Sequence, residues 1–118
     1  MKITNAQALN FVNTVNGSMA GRRLPVRVAF AIKKNMAAIM KDMIKPFEET
    51  RQELLKKRED TEECNAQFVE DINALLEEEC EVSIHTISLE ELEKLDADPS
   101  YDKLSLAEID VLDFMIKE

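Results

Sequence analysis

The amino-acid sequence predicts a mainly α-helical protein with a minor β element. Apolar residues recur at helical spacing over most of the chain, and Ser or Thr begins several capping-box patterns. Only 2 Gly and 3 Pro interrupt the 118 residues. With 45% apolar and 33% charged residues, the composition excludes a disordered tail and a disulfide scaffold. The length corresponds to one domain, residues 1–118, with a modest core.

The first helix is predicted over residues 5–16. Thr4 and Gln7 have the spacing of a capping box, in which each side chain bonds the backbone amide of the other residue. Apolar residues follow at helical spacing until Gly17 provides a stop. A polar connector then leads to Pro25, which suits the first turn of a second helix.

A long second helix is predicted over residues 26–58, with a kink near Pro46. Proline cannot donate a backbone hydrogen bond and crowds the preceding turn. On a helical projection, one face carries the basic residues Arg27, Lys34, Lys41 and Lys45. The opposite apolar face contains Val28, Ala29, Ile32, Met36, Ile39, Met40, Met43 and Phe47.

A third helix is predicted over residues 62–79, where Phe68, Ile72, Leu75 and Leu76 share one face. It is expected to fold back antiparallel on the long helix and to bury Phe68 and Ile72 against the methionine-rich stripe. Residues 26–79 would then form a long, kinked, coiled-coil-like helical hairpin. The strand and the C-terminal helices are expected to pack at one end of it.

Residues 81–87 alternate in polarity and are rich in β-branched side chains, which predicts a strand. Its partner could be residues 2–4, residues 24–28 or a strand of another copy, and the sequence does not choose among them. Capping-box patterns at Ser88 and Ser105 predict two further helices, over residues 89–95 and 105–116.

The sequence shows no arrangement of residues typical of catalysis or of cofactor binding. His85 is the single histidine, and its place in the alternating strand points it towards solvent or a polar interface. Cys64, Cys80 and His85 do not have the number or spacing of zinc ligands. The two glycines do not form a phosphate-binding loop. We therefore expect a non-enzymatic protein without a metal or cofactor.

Charge is distributed unevenly along the chain. Residues 1–47 hold eight basic residues and one acid, whereas residues 48–118 hold seven basic and 23 acidic residues. The net charge of −9 disfavours nucleic acid as a partner and favours ion pairing within the chain or between subunits. The side chains of Met36, Met40 and Met43 suit either packing within the hairpin or an adaptable interface with a partner. The candidate interaction surface comprises Arg22, Arg23, Arg27, Lys34, Lys41, Lys45, Met36, Met40 and Met43.

Compartment and self-association follow from other features of the sequence. The first residues lack the pattern of a signal peptide, and no apolar run is long enough to span a membrane, so a cytoplasmic protein is expected. The 26–58 helix is too long for a domain of this size to cover, and the 81–87 strand has no evident partner. Both observations predict a homo-oligomer.

The order of segments resembles a family of small phage and prophage proteins, domain of unknown function family 1617. The resemblance rests on residues 3–7, 24–35, 47–51, 82–87 and 114–116, of which the stretch from Leu24-Pro25-Val26 to Lys34-Asn35 is the most specific. It implies a phage or prophage origin in a bacterial host and supplies no catalytic residues.

The expected role is that of a structural, assembly or accessory protein that contacts phage or host proteins, in the bacterial cytoplasm or the virion. Two alternatives remain open. One is an acidic inhibitor or nucleic-acid mimic directed at a host or defence protein, and the other is nucleic-acid binding through the basic stripe.

Overall fold

The computed structural model describes residues 1–117 and confirms a mainly helical fold with a minor β element. A π-helical turn (Met40–Ile44) joins the second helix to the third, and a 3-10 turn (Asp113–Met115) follows the last helix. In chain order the regular elements are β1 (Lys2–Thr4), α1 (Asn5–Asn16), α2 (Val26–Ile39), α3 (Lys45–Lys57), α4 (Glu62–Glu77), β2 (Glu79–Glu81), β3 (Ile87–Ser88), α5 (Leu89–Ala97), α6 (Leu106–Leu112) and β4 (Ile116–Lys117).

Helix α1 begins and ends as the sequence predicts. The Gln7 backbone amide donates to the Thr4 hydroxyl at 3.1 Å, and the Thr4 amide donates to the Gln7 side-chain oxygen at 2.8 Å. This capping box satisfies two amide groups that a helix start otherwise leaves unpaired. The helix buries Ala8 and Phe11 completely, so it forms one wall of the core.

The long second helix is interrupted before Pro46. In the π-helical turn, the Lys45 amide donates to the Met40 carbonyl five residues earlier, instead of to the residue four earlier. Pro46 has no amide hydrogen to offer the carbonyl of Asp42, so the regular α pattern cannot run through this region. The distortion expected near Pro46 is therefore a π-helical turn immediately before it, and the helical segment ends at Lys57 instead of residue 58.

The predicted helical hairpin exists only between α3 and α4, which are joined by residues 58–61. The prediction that Phe68 packs against the methionine-rich stripe is wrong. Helix α4 packs mainly on α3 and α1, whereas α2 packs on α1, α5 and β3. Phe68 lies instead beside Leu54 and Arg58. The apolar face of α2 is covered by α1 and the C-terminal region, so the face is closed to α4.

The α3–α4 pair, residues 45–77, makes the molecule elongated. The principal extents are 55 × 24 × 20 Å. The radius of gyration is 17.0 Å, compared with about 13.5 Å for a compact chain of this length. We refer to this pair as the arm and to the other elements as the body.

The predicted 81–87 strand is wrong over residues 82–86, which have no strand structure. Only its two ends lie in strands, Glu81 in β2 and Ile87 in β3, and these strands have different partners. Strand β2 pairs antiparallel with β1, with Cys80 opposite Ile3, which selects residues 2–4 among the three alternatives. Strand β3 pairs parallel with β4, with Ile87 opposite Ile116. The N-terminal strand β1 and the C-terminal strand β4 are therefore paired with the two ends of one segment, residues 79–88.

Asn35 of α2 holds the residues between β2 and β3. Its side chain is fully buried, accepts a hydrogen bond from the His85 backbone amide at 2.6 Å and donates one to the His85 carbonyl at 2.8 Å. A single side-chain amide thus supplies the two bonds that a neighbouring strand would supply. Asn35 also lies 3.4 Å from the sulfur of Met115, which brings the C-terminal region against the same point.

The C-terminal helices differ from their predicted bounds. The Glu91 amide donates to the Ser88 hydroxyl, and α5 extends two residues past the predicted end at residue 95. The predicted 105–116 helix ends at Leu112, because the following turn brings Ile116 into register with β3. Helix α4 ends at residue 77 instead of 79, because Glu79 enters β2.

One apolar core connects α1, the inner face of α2 and the segments around the two sheets. Val28, Ile32, Ile39 and Met43 are buried as the helical projection predicts, whereas Met36 is half-buried and Ala29 and Met40 are exposed. The buried cluster contains Ile3, Ala8, Phe11, Met19, Val28, Ala31, Ile32, Ile39, Met43, Val82, Ile87, Leu112 and Met115.

Replacing Asn35 by Leu is expected to lower the free energy of unfolding by about 2–3 kcal/mol, because it leaves the His85 amide and carbonyl without their partner. Urea unfolding followed by circular dichroism measures the change. Asn13→Leu, at an exposed position of α1, serves as the control and should stay within about 0.5 kcal/mol of the wild type. Equal stability of the two variants would contradict the structural role of Asn35.

Candidate protein-binding surface

Arg22 and Arg23, two members of the predicted basic surface, are held by groups of the same chain. The Arg22 guanidinium donates to the Glu108 carboxylate at 2.6 Å and to the Lys103 carbonyl at 2.8 Å. Arg23 forms an ion pair with Asp102 at 3.2 Å, and its backbone amide donates to the same carboxylate. Both arginines attach the connector after α1 to the C-terminal region, and Arg22 is largely covered there, whereas the Arg23 side chain remains 69% exposed.

The other four basic residues, Arg27, Lys34, Lys41 and Lys45, are exposed. The guanidinium of Arg27 lies 3.7 Å from the Glu91 carboxylate, and its side chain remains 83% exposed. The ammonium of Lys34 lies 5.4 Å from the centre of the Phe30 ring, within the range of a cation–π contact. These residues lie along α2 and the helical segment that follows it.

The three methionines of the predicted surface have different environments. Met43 is in the core with 1% exposure, and Met36 is half-buried against it. Met40 is 42% exposed. Of these three methionines, only Met40 is exposed enough to contact another molecule. Met43 packs in the core, which is one of the two roles that the sequence analysis left open for the methionines.

Helix α2 carries a second row of side chains on its outer face. Val26 is 84% exposed and Phe30 is 52% exposed, although both are large and apolar. Together with Lys33, Ala37 and Met40, which are also exposed, they recur at alternating intervals of four and three residues. This spacing is typical of the seam by which one helix packs on another in a coiled coil. We call Val26, Phe30, Lys33, Ala37 and Met40 the outer seam of α2.

A groove runs beside the first half of the outer seam. Arg27, Phe30 and Ala31 of α2 line one side, and residues 85–88 with Glu91 line the other. The rings of Phe30 and His85 meet edge to face with their centres 6.1 Å apart. His85 is exposed, although it does not lie in a strand as predicted. The groove therefore combines the rings of Phe30 and His85 with one basic residue, Arg27, and one acidic residue, Glu91.

Phe30 was not among the predicted surface residues, although the sequence contains a signal for it. At 100° per residue, Phe30 lies about 60° from Arg27, on the basic side of the helical projection. A large aromatic side chain outside the apolar arc indicates an exposed contact. The exposed position of Phe30 was overlooked because the wider apolar arc on the opposite side of the helix dominates the projection.

Glu108 is a buried carboxylate, 3% exposed, at the start of α6. Its oxygens accept hydrogen bonds from the Ser18 hydroxyl at 2.7 Å, the Arg22 guanidinium at 2.6 Å and the Ser105 backbone amide at 2.9 Å. Burial by itself acts to raise the pKa of Glu108, but these hydrogen bonds outweigh it and lower the pKa to about 2. At neutral pH this carboxylate is ionised and accepts hydrogen bonds from three donors of the same chain, which suits a structural role.

Chemical groups elsewhere in the described part of the chain do not converge on a site. Within residues 1–117, no group of three or more His, Cys, Asp or Glu side chains is placed to hold a metal ion. Cys64 and Cys80 are both free thiols. Over the same residues, no helix combines the length and the apolar character needed to cross a membrane.

Comparison of the chain with protein-family models, with curated proteins and with solved structures gave no match. The function is therefore inferred from the surfaces and contacts described above.

Stability is expected to decrease in acid through Glu108. Because its pKa in the folded protein is about 2, below the ordinary value of 4.5, its contribution is complete above pH 4.5 and is lost as the pH falls from 4.5 towards 2. Glu108→Gln should lower the free energy of unfolding by about 3 kcal/mol at pH 7, because Arg22 loses its charged partner.

Urea unfolding at several pH values measures this effect. The difference between wild type and Glu108→Gln should shrink as the pH falls through that window, whereas Glu90→Gln, at an exposed position of α5, should follow the wild type throughout. A difference that is constant with pH would show that the charge of Glu108 has no such role.

Proposed function

We propose that this protein is non-enzymatic and acts through protein–protein contacts, associating with further copies of itself. The observation that carries the proposal is the state of α4. None of its sixteen residues, all within the described part of the chain, is buried. Val69 of this helix is 56% exposed. A helix of this length that buries no side chain completely is typical of an element that awaits a partner.

The seam between the two helices of the arm supports this proposal. Leu54, Leu55, Phe68 and Ile72 are only half-buried there. Two helices alone enclose one seam and leave its edges wet, whereas a bundle with further helices closes them. Contact with another protein surface would therefore bury apolar area that the arm leaves accessible to water.

The chemistry of the described residues supports a non-enzymatic role. Among residues 1–117, Glu108 is the one buried carboxylate, and a group with a pKa of about 2 is a weak base at neutral pH. His85 lies at an exposed position; its backbone amide donates to Asn35 and its backbone carbonyl accepts from Asn35, while its ring meets the Phe30 ring. The contacts of Glu108 and His85 are therefore those of residues that stabilise the fold.

The resemblance to a phage and prophage family leads us to assign the association to phage structure, assembly or an accessory task in a bacterial host. Such a protein would act in the cytoplasm of the infected cell or in the virion. The genes beside its own test this assignment. Tail or capsid genes favour assembly, whereas a cluster of early accessory genes favours an inhibitor.

A second function, an acidic mimic of nucleic acid directed at a host or defence protein, is favoured by the charge of α4. This helix contains five acidic residues and no basic residue. Binding to a basic, nucleic-acid-handling protein would then weaken strongly with added salt. Direct nucleic-acid binding is less well supported, because Arg22 is held by the buried Glu108 and the net charge of −9 opposes approach to a nucleic acid.

Self-association predicts a mass above that of one chain. Size-exclusion chromatography with light scattering at about 100 μM should give a multiple of 13.5 kDa. The thermal unfolding midpoint should rise with protein concentration, because association stabilises the folded chain by mass action. A mass of 13.5 kDa and a midpoint independent of concentration would contradict the proposal.

A further inference from the structure

Helix α4 carries an outer seam with the same spacing as that of α2. Glu62, Ala66, Val69, Asn73 and Leu76 recur at intervals of four and three residues. The first four are exposed and Leu76 is half-buried. Each seam extends over fifteen residues, or about 21 Å along its helix. The two rows therefore match in length as well as in spacing.

Charged residues flank the two seams at the same position but with opposite sign. Beside the outer seam of α2, the basic residues stand seven apart, directly after the first, third and fifth seam positions. Beside the seam of α4, acidic residues occupy the same three positions. All six are exposed, and among residues 1–117 only Arg27 of the six has an ion-pair partner. The basic row consists of Arg27 and Lys34 on α2 and Lys41 in the π-helical turn that follows it, and the acidic row consists of Glu63, Glu70 and Glu77 on α4.

We propose that α2 of one copy packs antiparallel on α4 of a second copy through these two seams. Residues that directly follow the first, third and fifth seam positions occupy the e position of the heptad, and in an antiparallel pair the e rows of the two helices face each other. This arrangement places Lys34 opposite Glu70 of the second copy, with Arg27 opposite its Glu77 and Lys41 opposite its Glu63. The inference rests on the proposed self-association and names its surfaces.

Charge decides against the simpler pairing of α2 with α2. That contact would bring Lys33, Lys34 and Lys41 of two copies together, and like charges at facing positions are destabilising. Pairing of the two outer seams within one chain is also absent from the fold, since α4 packs on α3 and α1. The seam of α4 in a second copy supplies apolar residues, and the acidic row beside it supplies charges opposite to those beside the α2 seam.

The number of contacts per copy determines the form of the assembly. If α2 and α4 of each copy meet α4 and α2 of the same neighbour, the result is a closed two-fold dimer. If they meet two different neighbours, the result is a ring or a filament. The mass measured in solution distinguishes these forms.

Paired charge reversals test the inference. The Lys34→Glu/Lys41→Glu variant and the Glu63→Lys/Glu70→Lys variant should each associate at least tenfold more weakly than the wild type. An equimolar mixture of the two should recover association, because the reversed α2 of one variant then faces the reversed α4 of the other. Analytical ultracentrifugation measures all four samples, and circular dichroism checks that each variant is folded.

Matched variants separate local pairing from net charge. Lys56→Glu/Lys57→Glu, near the tip of the arm, and Glu90→Lys/Glu93→Lys on α5 make the same changes in charge at exposed positions outside the seams. Both should stay within about threefold of the wild type. If net repulsion alone governed association, Glu63→Lys/Glu70→Lys would strengthen it, because this variant is less negative than the wild-type charge of −9.

The possible results have distinct meanings. Wild-type protein that remains monomeric contradicts the proposed function. Wild-type protein that associates while the seam variants associate equally well, or while their mixture fails to recover, overturns the α2–α4 contact and leaves self-association standing. Loss in each variant with recovery in the mixture supports the contact.

Discussion

The hydrogen bonds between Asn35 and the backbone of His85 are the constraint on which the rest of the body depends. A polar side chain placed in the core is unfavourable unless its bonding capacity is met, and here both ends of the amide are bonded. The bonds fix the middle of a segment whose two ends hold the N-terminal strand β1 and the C-terminal strand β4. One side chain of α2 thereby links the distant parts of the chain around the core.

Ion pairs divide the charge of the chain into a part used within the molecule and a part left outside. Glu108 and Asp102 bind the two arginines of the connector, so some of the acidic excess of the C-terminal region is satisfied inside the body. The exposed basic row of α2 and the acidic row of α4 remain on separate surfaces. Because exposed pairs are weak individually, such rows act mainly by selecting orientation and partner when apolar seams meet.

The body and the arm bury apolar residues to very different degrees. The body has a connected core in which Phe11, Val28 and Leu112 are completely covered. The arm has a single seam and a helix without any buried side chain in its sixteen residues. A chain of this size can enclose only one modest core, and α1 and the C-terminal region close that core over α2. The arm therefore leaves its apolar residues only partly covered, and Val69 of α4 is 56% exposed.

The sequence by itself determined what depends on neighbouring residues: the helical class, the caps at Thr4 and Ser105, and the buried face of α2. Tertiary structure alone decided which element covers that face, where the 81–87 segment divides, and that Arg22 serves Glu108 instead of a partner. Capping and amphipathic periodicity act over a few residues and can be read locally. The choice among distant apolar and charged partners depends on which contacts close one core together, and local patterns do not contain that information.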